Sequence, residues 1–100
     1  MIVVEGSARI PEGAWDEAIA AMETMIRASR QEAGCIDYAY SRDLLDPNLL
    51  RIIERWTDKA ALVSHFGEPH MAVFRQALAK VGPQDLEVRM YDAEPEALPL

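Results

Sequence analysis

The chain alternates between two hydrophobic rhythms. Residues 2 to 10 change side at every step: Ile2, Val4, Ala8 and Ile10 share one face, and Val3, Glu5, Ser7 and Arg9 share the other. Period two with β-branched residues predicts a half-buried strand, broken by Pro11-Glu12-Gly13. Trp15, Ile19, Met22 and Ile26 then recur every three or four residues, flanked by Ala18 and Met25. Asp16, Glu17, Glu23, Arg27 and Arg30 lie opposite, which predicts an amphipathic helix of about five turns. Its expected end is Ala33, with Gly34 as a left-handed cap. The Trp15 and Met stripe reads as core.

Period two returns from Cys35 to Leu44, with Ile36, Tyr38, Tyr40 and Arg42 on one face and Cys35, Asp37, Ala39 and Ser41 on the other. Asp46-Pro47-Asn48 has turn composition. Leu49 to Trp56 is the returning strand, with Leu50, Ile52, Glu54 and Trp56 together on one side. Two alternating runs around a short turn predict an antiparallel hairpin. Thr57 is the expected cap of the next helix, whose apolar side is Ala60, Ala61, Leu62 and Phe66. Gly67 ends it, and Pro69 suits the first position of another helix, with Val73, Phe74, Ala77, Leu78 and Val81 as its stripe. Gly82-Pro83 stops that helix, and Leu86, Val88 and Met90 alternate with Glu87, Arg89 and Tyr91 in a last strand.

The order β-α-β-β-α-β, with the second helix in two pieces, predicts an α+β ferredoxin-like fold: one antiparallel four-stranded sheet with helices on one face. Residues 1–93 form one domain, and 94–100, with Pro95 and Pro99, an extended tail. The uncovered sheet face still carries apolar and aromatic side chains, so a second copy packed face to face is expected, giving a homodimer of the dimeric α/β barrel type.

Composition narrows the partners. A formal net charge of −7 without a Lys/Arg cluster argues against nucleic acid and anionic membrane surfaces. No apolar run approaches the ~20 residues of a spanning helix, and the N-terminus carries no signal-peptide pattern, so a cytoplasmic location is expected. The single cysteine, Cys35, cannot close an internal disulfide and reads as a small, half-buried apolar residue.

Three segments carry a resemblance: Glu32-Ala33-Gly34-Cys35-Ile36-Asp37-Tyr38, Glu54-Arg55-Trp56, and Ala61-Leu62-Val63-Ser64-His65-Phe66-Gly67-Glu68-Pro69-His70. In this order and spacing, E-x-W followed by A-L-x-x-H-x-x-x-P-H, the chain resembles the antibiotic biosynthesis monooxygenase domain family, closest in look to its quinol-monooxygenase-like members. The resemblance covers about Ile2 to Tyr91. It implies a dimeric ferredoxin-like fold and oxygenation of an electron-rich aromatic, such as a hydroquinone or polyphenol, without metal, flavin or other cofactor. Ground-state oxygen is a triplet and reacts slowly with closed-shell molecules, but a deprotonated phenol can hand it one electron. The protein then supplies an apolar cavity, a base and hydrogen-bond donors.

His65 is the candidate base, since histidine is the side chain that ordinarily titrates near neutrality; the competing reading is a structural histidine bonded to a backbone carbonyl of the corner. His70 is a substrate-side or helix-start polar group. Trp56, Phe66 and Phe74 wall the cavity or simply fill the core. Tyr38 and Tyr40 donate to a bound oxygen species or serve the dimer. Glu54 is structural or orients His65, and Arg51 pairs with a carboxylate or holds a substrate oxygen. The five-residue spacing of the histidines is not a metal motif, and no metal site is assigned. The family's haem-degrading branch, which implies an axial histidine inside the helix after the corner, fits less well, because Met71 to Leu78 contains none. A non-catalytic small-molecule-binding or protective module of the same fold is the alternative, and an isomerase or lyase a weaker one.

Overall fold

The structure is a computed structural model describing residues 1–100. The elements run β1 (Ile2–Arg9), α1 (Trp15–Ser29), β2 (Cys35–Arg42), β3 (Leu49–Trp56), α2 (Lys59–Phe66), α3 (Pro69–Val81) and β4 (Gln84–Asp92). The four strands form one sheet in the order β2-β3-β1-β4, antiparallel throughout. This is the ferredoxin-like arrangement expected from the sequence. No helix is long and apolar enough to cross a membrane.

Register sorts the residues by face. Ile2 pairs with Trp56, Val4 with Glu54 and Ala8 with Leu50 across β1 and β3, and Tyr38 pairs with Glu54 across β2 and β3. Partners across a ladder share a face, so these residues form the inner, helix-covered side, and most are buried. Leu49, Arg51, Ile53, Arg55, Asp37, Glu5 and Tyr91 fall on the outer side.

Several boundaries differ from the sequence reading. Helix α1 stops at Ser29 rather than Ala33. Its last carbonyls are taken by tight turns, in which the Gln31, Glu32 and Cys35 N–H groups donate to Ala28, Ser29 and Glu32. Gly34 is not a left-handed cap, since positive φ among the glycines occurs at Gly13 and Gly82. It is needed for close approach: a Cβ there would collide with Cβ of Ala61 on α2. The buried stripe of α1 is Trp15, Ala18, Met22, Met25 and Ser29, while Ile19 is exposed. Ala18, the smallest apolar residue of that stripe, is fully buried. Asp58, not Thr57, caps α2, its side chain accepting from the Ala61 N–H at 2.8 Å.

On α2 the buried residues are Leu62 and His65, not Ala60 and Phe66. The Gly67-Glu68-Pro69 corner forms as expected, with Pro69 opening α3 and Gly82 closing it in the left-handed region at φ 70°. Strand β4 forms where the alternation places it, and all of it is exposed. Leu86, Val88 and Met90 fall on the helix side of the sheet but stay exposed.

Candidate functional site

Between the inner sheet face and the α2–α3 pair lies a cavity of about 200 Å³. The sheet contributes Val4, Tyr38, Tyr40, Ile52 and Glu54; the helices contribute Leu62, His65, Phe66, Met71, Phe74 and Leu78; Leu86 and Val88 of β4 complete the wall. Six of the residues singled out from the sequence therefore meet at one place: His65, Phe66, Phe74, Tyr38, Tyr40 and Glu54.

The other three lie elsewhere. Trp56 is fully buried behind His65, with ring centroids 4.6 Å apart, and does not line the cavity. His70 lines a separate groove between α1 and α3. Arg51 sits on the outer face, where its guanidinium donates to Asp43 at 3.0 Å. Each correction follows from alternation or helical turn. Trp56 is two residues beyond Glu54 and reaches past the cavity end, Arg51 has the opposite strand parity, and His70 is on the first turn of α3 facing α1.

The polar groups of the wall are held by specific partners. The Tyr38 and Tyr40 hydroxyls are hydrogen-bonded to each other at 2.7 Å. Burial pushes both phenols well above their ordinary value, so they remain O–H donors. Glu54 accepts from the Trp56 indole Nε1–H at 3.0 Å. Burial raises its carboxyl above the ordinary carboxylate range, opposed by that indole bond and by the nearby His65. Burial, aided by Glu32, raises the Cys35 thiol, which leaves it a poor nucleophile.

His65 is 1% exposed and packed among the rings of Tyr38, Trp56, Phe66 and His70. Its Nδ1 lies 2.7 Å from Oε2 of Glu32, and Nε2 of His70 lies 2.8 Å from the same oxygen. The carboxylate that meets the His65 imidazole is thus Glu32 rather than Glu54. Glu32 lies within the first of the three family-like segments, and nothing in its local pattern marks a role. The signal was faint: it lies 33 and 38 residues from its two partners, and no periodicity links them.

The donor atoms of Glu32, His65 and His70 fall within 4.8 Å of one another, a ligand set that suits zinc chemically. The spacing is that of hydrogen bonds. Donors around tetrahedral zinc, with bonds of about 2.0–2.1 Å, stand roughly 3.3 Å apart, wider than the two contacts that Glu32 makes.

An apolar hollow in a ferredoxin-like domain, with a buried imidazole and hydroxyl donors on its wall, has the make-up of a candidate small-molecule site. Comparison with known proteins gives the family. The profile of the antibiotic biosynthesis monooxygenase family matches residues 1–77, and the chain belongs to that family. An uncharacterised Synechocystis protein is 33% identical over 90 residues, and the chain spans 61% of that curated relative's length. Among solved structures, an antibiotic biosynthesis monooxygenase is 30% identical with a TM-score of 0.80, covering 95% of this chain and 100% of that one. A Deinococcus radiodurans protein provisionally assigned to the same group is 27% identical with a TM-score of 0.81, covering 100% and 98%.

Proposed function

We propose that the protein is a cofactor-independent monooxygenase acting on a single-ring, electron-rich aromatic such as a hydroquinone. The observation that carries this reading is His65 on the wall of the 200 Å³ apolar cavity. Nε2 of His65 takes the phenolic proton, and the phenolate gives an electron to O2. Recombination at a ring carbon forms a peroxide anion, whose charge the Tyr38–Tyr40 hydroxyl pair stabilises and which takes the proton back from the His65 imidazolium to become a hydroperoxide. Loss of water then leaves a carbonyl where a ring C–H stood. One oxygen atom stays in the product, the other leaves as water, and the substrate supplies all four electrons. The size of the hollow supports one ring, since a cavity of about 150 Å³ holds benzene.

The test is oxygen uptake with a panel of hydroquinones and polyphenols. Uptake by the wild-type protein, abolished in His65→Ala, is expected; no uptake by folded wild-type protein with any of them refutes the reading.

The modest volume also favours a second reading, because ligand sites usually run to about 300–1,000 Å³. A non-catalytic module that binds or shields a small aromatic would give a ligand-dependent rise in Tm with no oxygen consumed.

Both readings take the outer sheet face as the contact with a second copy. Val3, Ala39 and Ile53 supply its half-buried apolar centre. The Arg55–Asp37 and Arg51–Asp43 pairs frame them. Sedimentation equilibrium should return twice the monomer mass of 11.2 kDa; a monomer across the working concentration range sinks that assembly.

A further inference from the structure

We infer that Glu32 is the positioning residue of the candidate base: its carboxylate holds His65 in the Nδ1–H form, leaving Nε2 as the lone-pair nitrogen for the cavity, while His70 clamps the carboxylate. The kinetic part of this inference rests on the oxygenase reading above; the structural part does not.

An imidazole in isolation exchanges between two neutral tautomers, and only its unprotonated nitrogen can accept a substrate proton. A partner that can only accept removes the choice. The Glu32 carboxylate is such a partner, 2.7 Å from Nδ1. The bond is sheltered, with 1% of the His65 side chain and 11% of Glu32 exposed. His70 Nε2–H donates to the same oxygen at 2.8 Å, so the carboxylate is held from two sides.

The backbone of Glu32 is also fixed. Its N–H donates to Ser29 O at 3.1 Å, and its carbonyl accepts from the Cys35 N–H at 3.0 Å. Gly34, two residues on, lets α2 approach closely enough for the imidazole to reach it. Glu54 makes no hydrogen bond to His65; its Oε1 accepts from the Trp56 indole instead.

In the proton-transfer step the substrate O–H bond breaks, its electron pair stays on the phenolate oxygen, and the proton goes to Nε2. The Nδ1–H stays where it is. The imidazolium so formed lies against the Glu32 carboxylate, which stabilises it through a charge-assisted hydrogen bond. His70 and Glu32 never meet the substrate.

The experiment is a long-range 1H–15N correlation spectrum of the full-length protein with 15N-labelled histidine, above the pH at which the imidazoles are neutral. For the wild type, His65 should show Nδ1 protonated and Nε2 bare. Glu32→Ala should mix or invert that pattern, and Glu32→Gln, which keeps an acceptor oxygen, should restore it. A wild-type His65 with Nε2–H, or an unchanged tautomer in Glu32→Ala, overturns the inference. Should the alanine variant fail to fold, the wild-type and Glu32→Gln spectra still decide.

In oxygen uptake, Glu32→Ala should lower kcat about 10–100-fold with little change in KM. His70→Ala should lose less, because it removes the clamp and keeps the acceptor; an equal or greater loss than in Glu32→Ala contradicts the assigned roles. If wild-type protein consumes no oxygen, the oxygenase reading fails, and the spectra alone judge the inference.

Discussion

The two faces of the sheet use similar residue types to opposite ends. On the outer face of the single chain, Arg51–Asp43, Arg55–Asp37 and Arg9–Asp46 are ion pairs partly open to solvent. On the inner face, Glu54 and the two tyrosines are shielded by helices and held by neutral donors or by one another. Water screens the outer charges, so the pairs contribute little and leave the chemistry of each group ordinary. The inner groups have lost that solvent, and their protonation is set by the protein. A charged group on this fold gains unusual chemistry by facing the helices rather than by its own identity.

Four substitutions probe that contrast. Phe74→Ala on the inner side should destabilise most, by about 3–5 kcal/mol in denaturant unfolding. It should also widen the hollow and admit larger aromatics in a thermal-shift screen. Stability within 1 kcal/mol of wild type, on the scale of a surface change, would mean that the inner wall is not a packed core.

Gly34→Ala should follow at about 1–3 kcal/mol, the usual range for overpacking. The added methyl pushes against Ala61 and displaces α2, so ligand affinity should fall along with stability. A variant as stable as wild type, with unchanged affinity, would show that α2 moves aside freely.

Glu54→Gln should act through pH. Burial raises the folded-state value of Glu54 above its ordinary 4.5, so its stabilising contribution is present at lower pH and is lost as pH rises through the raised value. A glutamine there never ionises and still accepts from the indole. The variant should therefore match wild type at acid pH and exceed its Tm increasingly toward neutrality. Asp46 and Asp43 on the outer side have the reverse sign. The Arg9 guanidinium lowers Asp46; the Leu45 backbone N–H, then Arg51, lowers Asp43. Their contribution is present above the ordinary value and fades as pH falls. A Tm difference for Glu54→Gln that does not change with pH would remove the distinction between the faces.

Arg51→Ala should have the smallest effect, within about 1 kcal/mol, because the pair it breaks is exposed. Ligand binding in the cavity should be untouched. A loss of binding would return Arg51 to the site that the sequence reading gave it.

Much of the site was legible because strand parity and helical period are local. Alternation put Tyr38 with Tyr40 and Glu54 with Trp56, and the two half-helices around Gly67-Glu68-Pro69 were set by Gly and Pro chemistry. Parity could not show how far along the strand the helices would reach, so Trp56 was taken for a wall residue when it lies beneath one. In β4, Leu86, Val88 and Met90 alternate with Glu87, Arg89 and Tyr91, but cover depends on helices elsewhere in the chain. His70 was read from its place after Pro69 as a helix-start or substrate-side group, and the first turn of α3 carries it to α1 and Glu32.

The sequence by itself determined the element order, the side of the sheet each residue occupies and the family, because these follow from periodicity, turn residues and motifs within short stretches. The tertiary structure alone decided that Glu32 joins the two histidines, that Gly34 serves a close approach and that a hollow remains beside His65. Those depend on helix placement to within an ångström or so, and packing between distant segments fixes that distance.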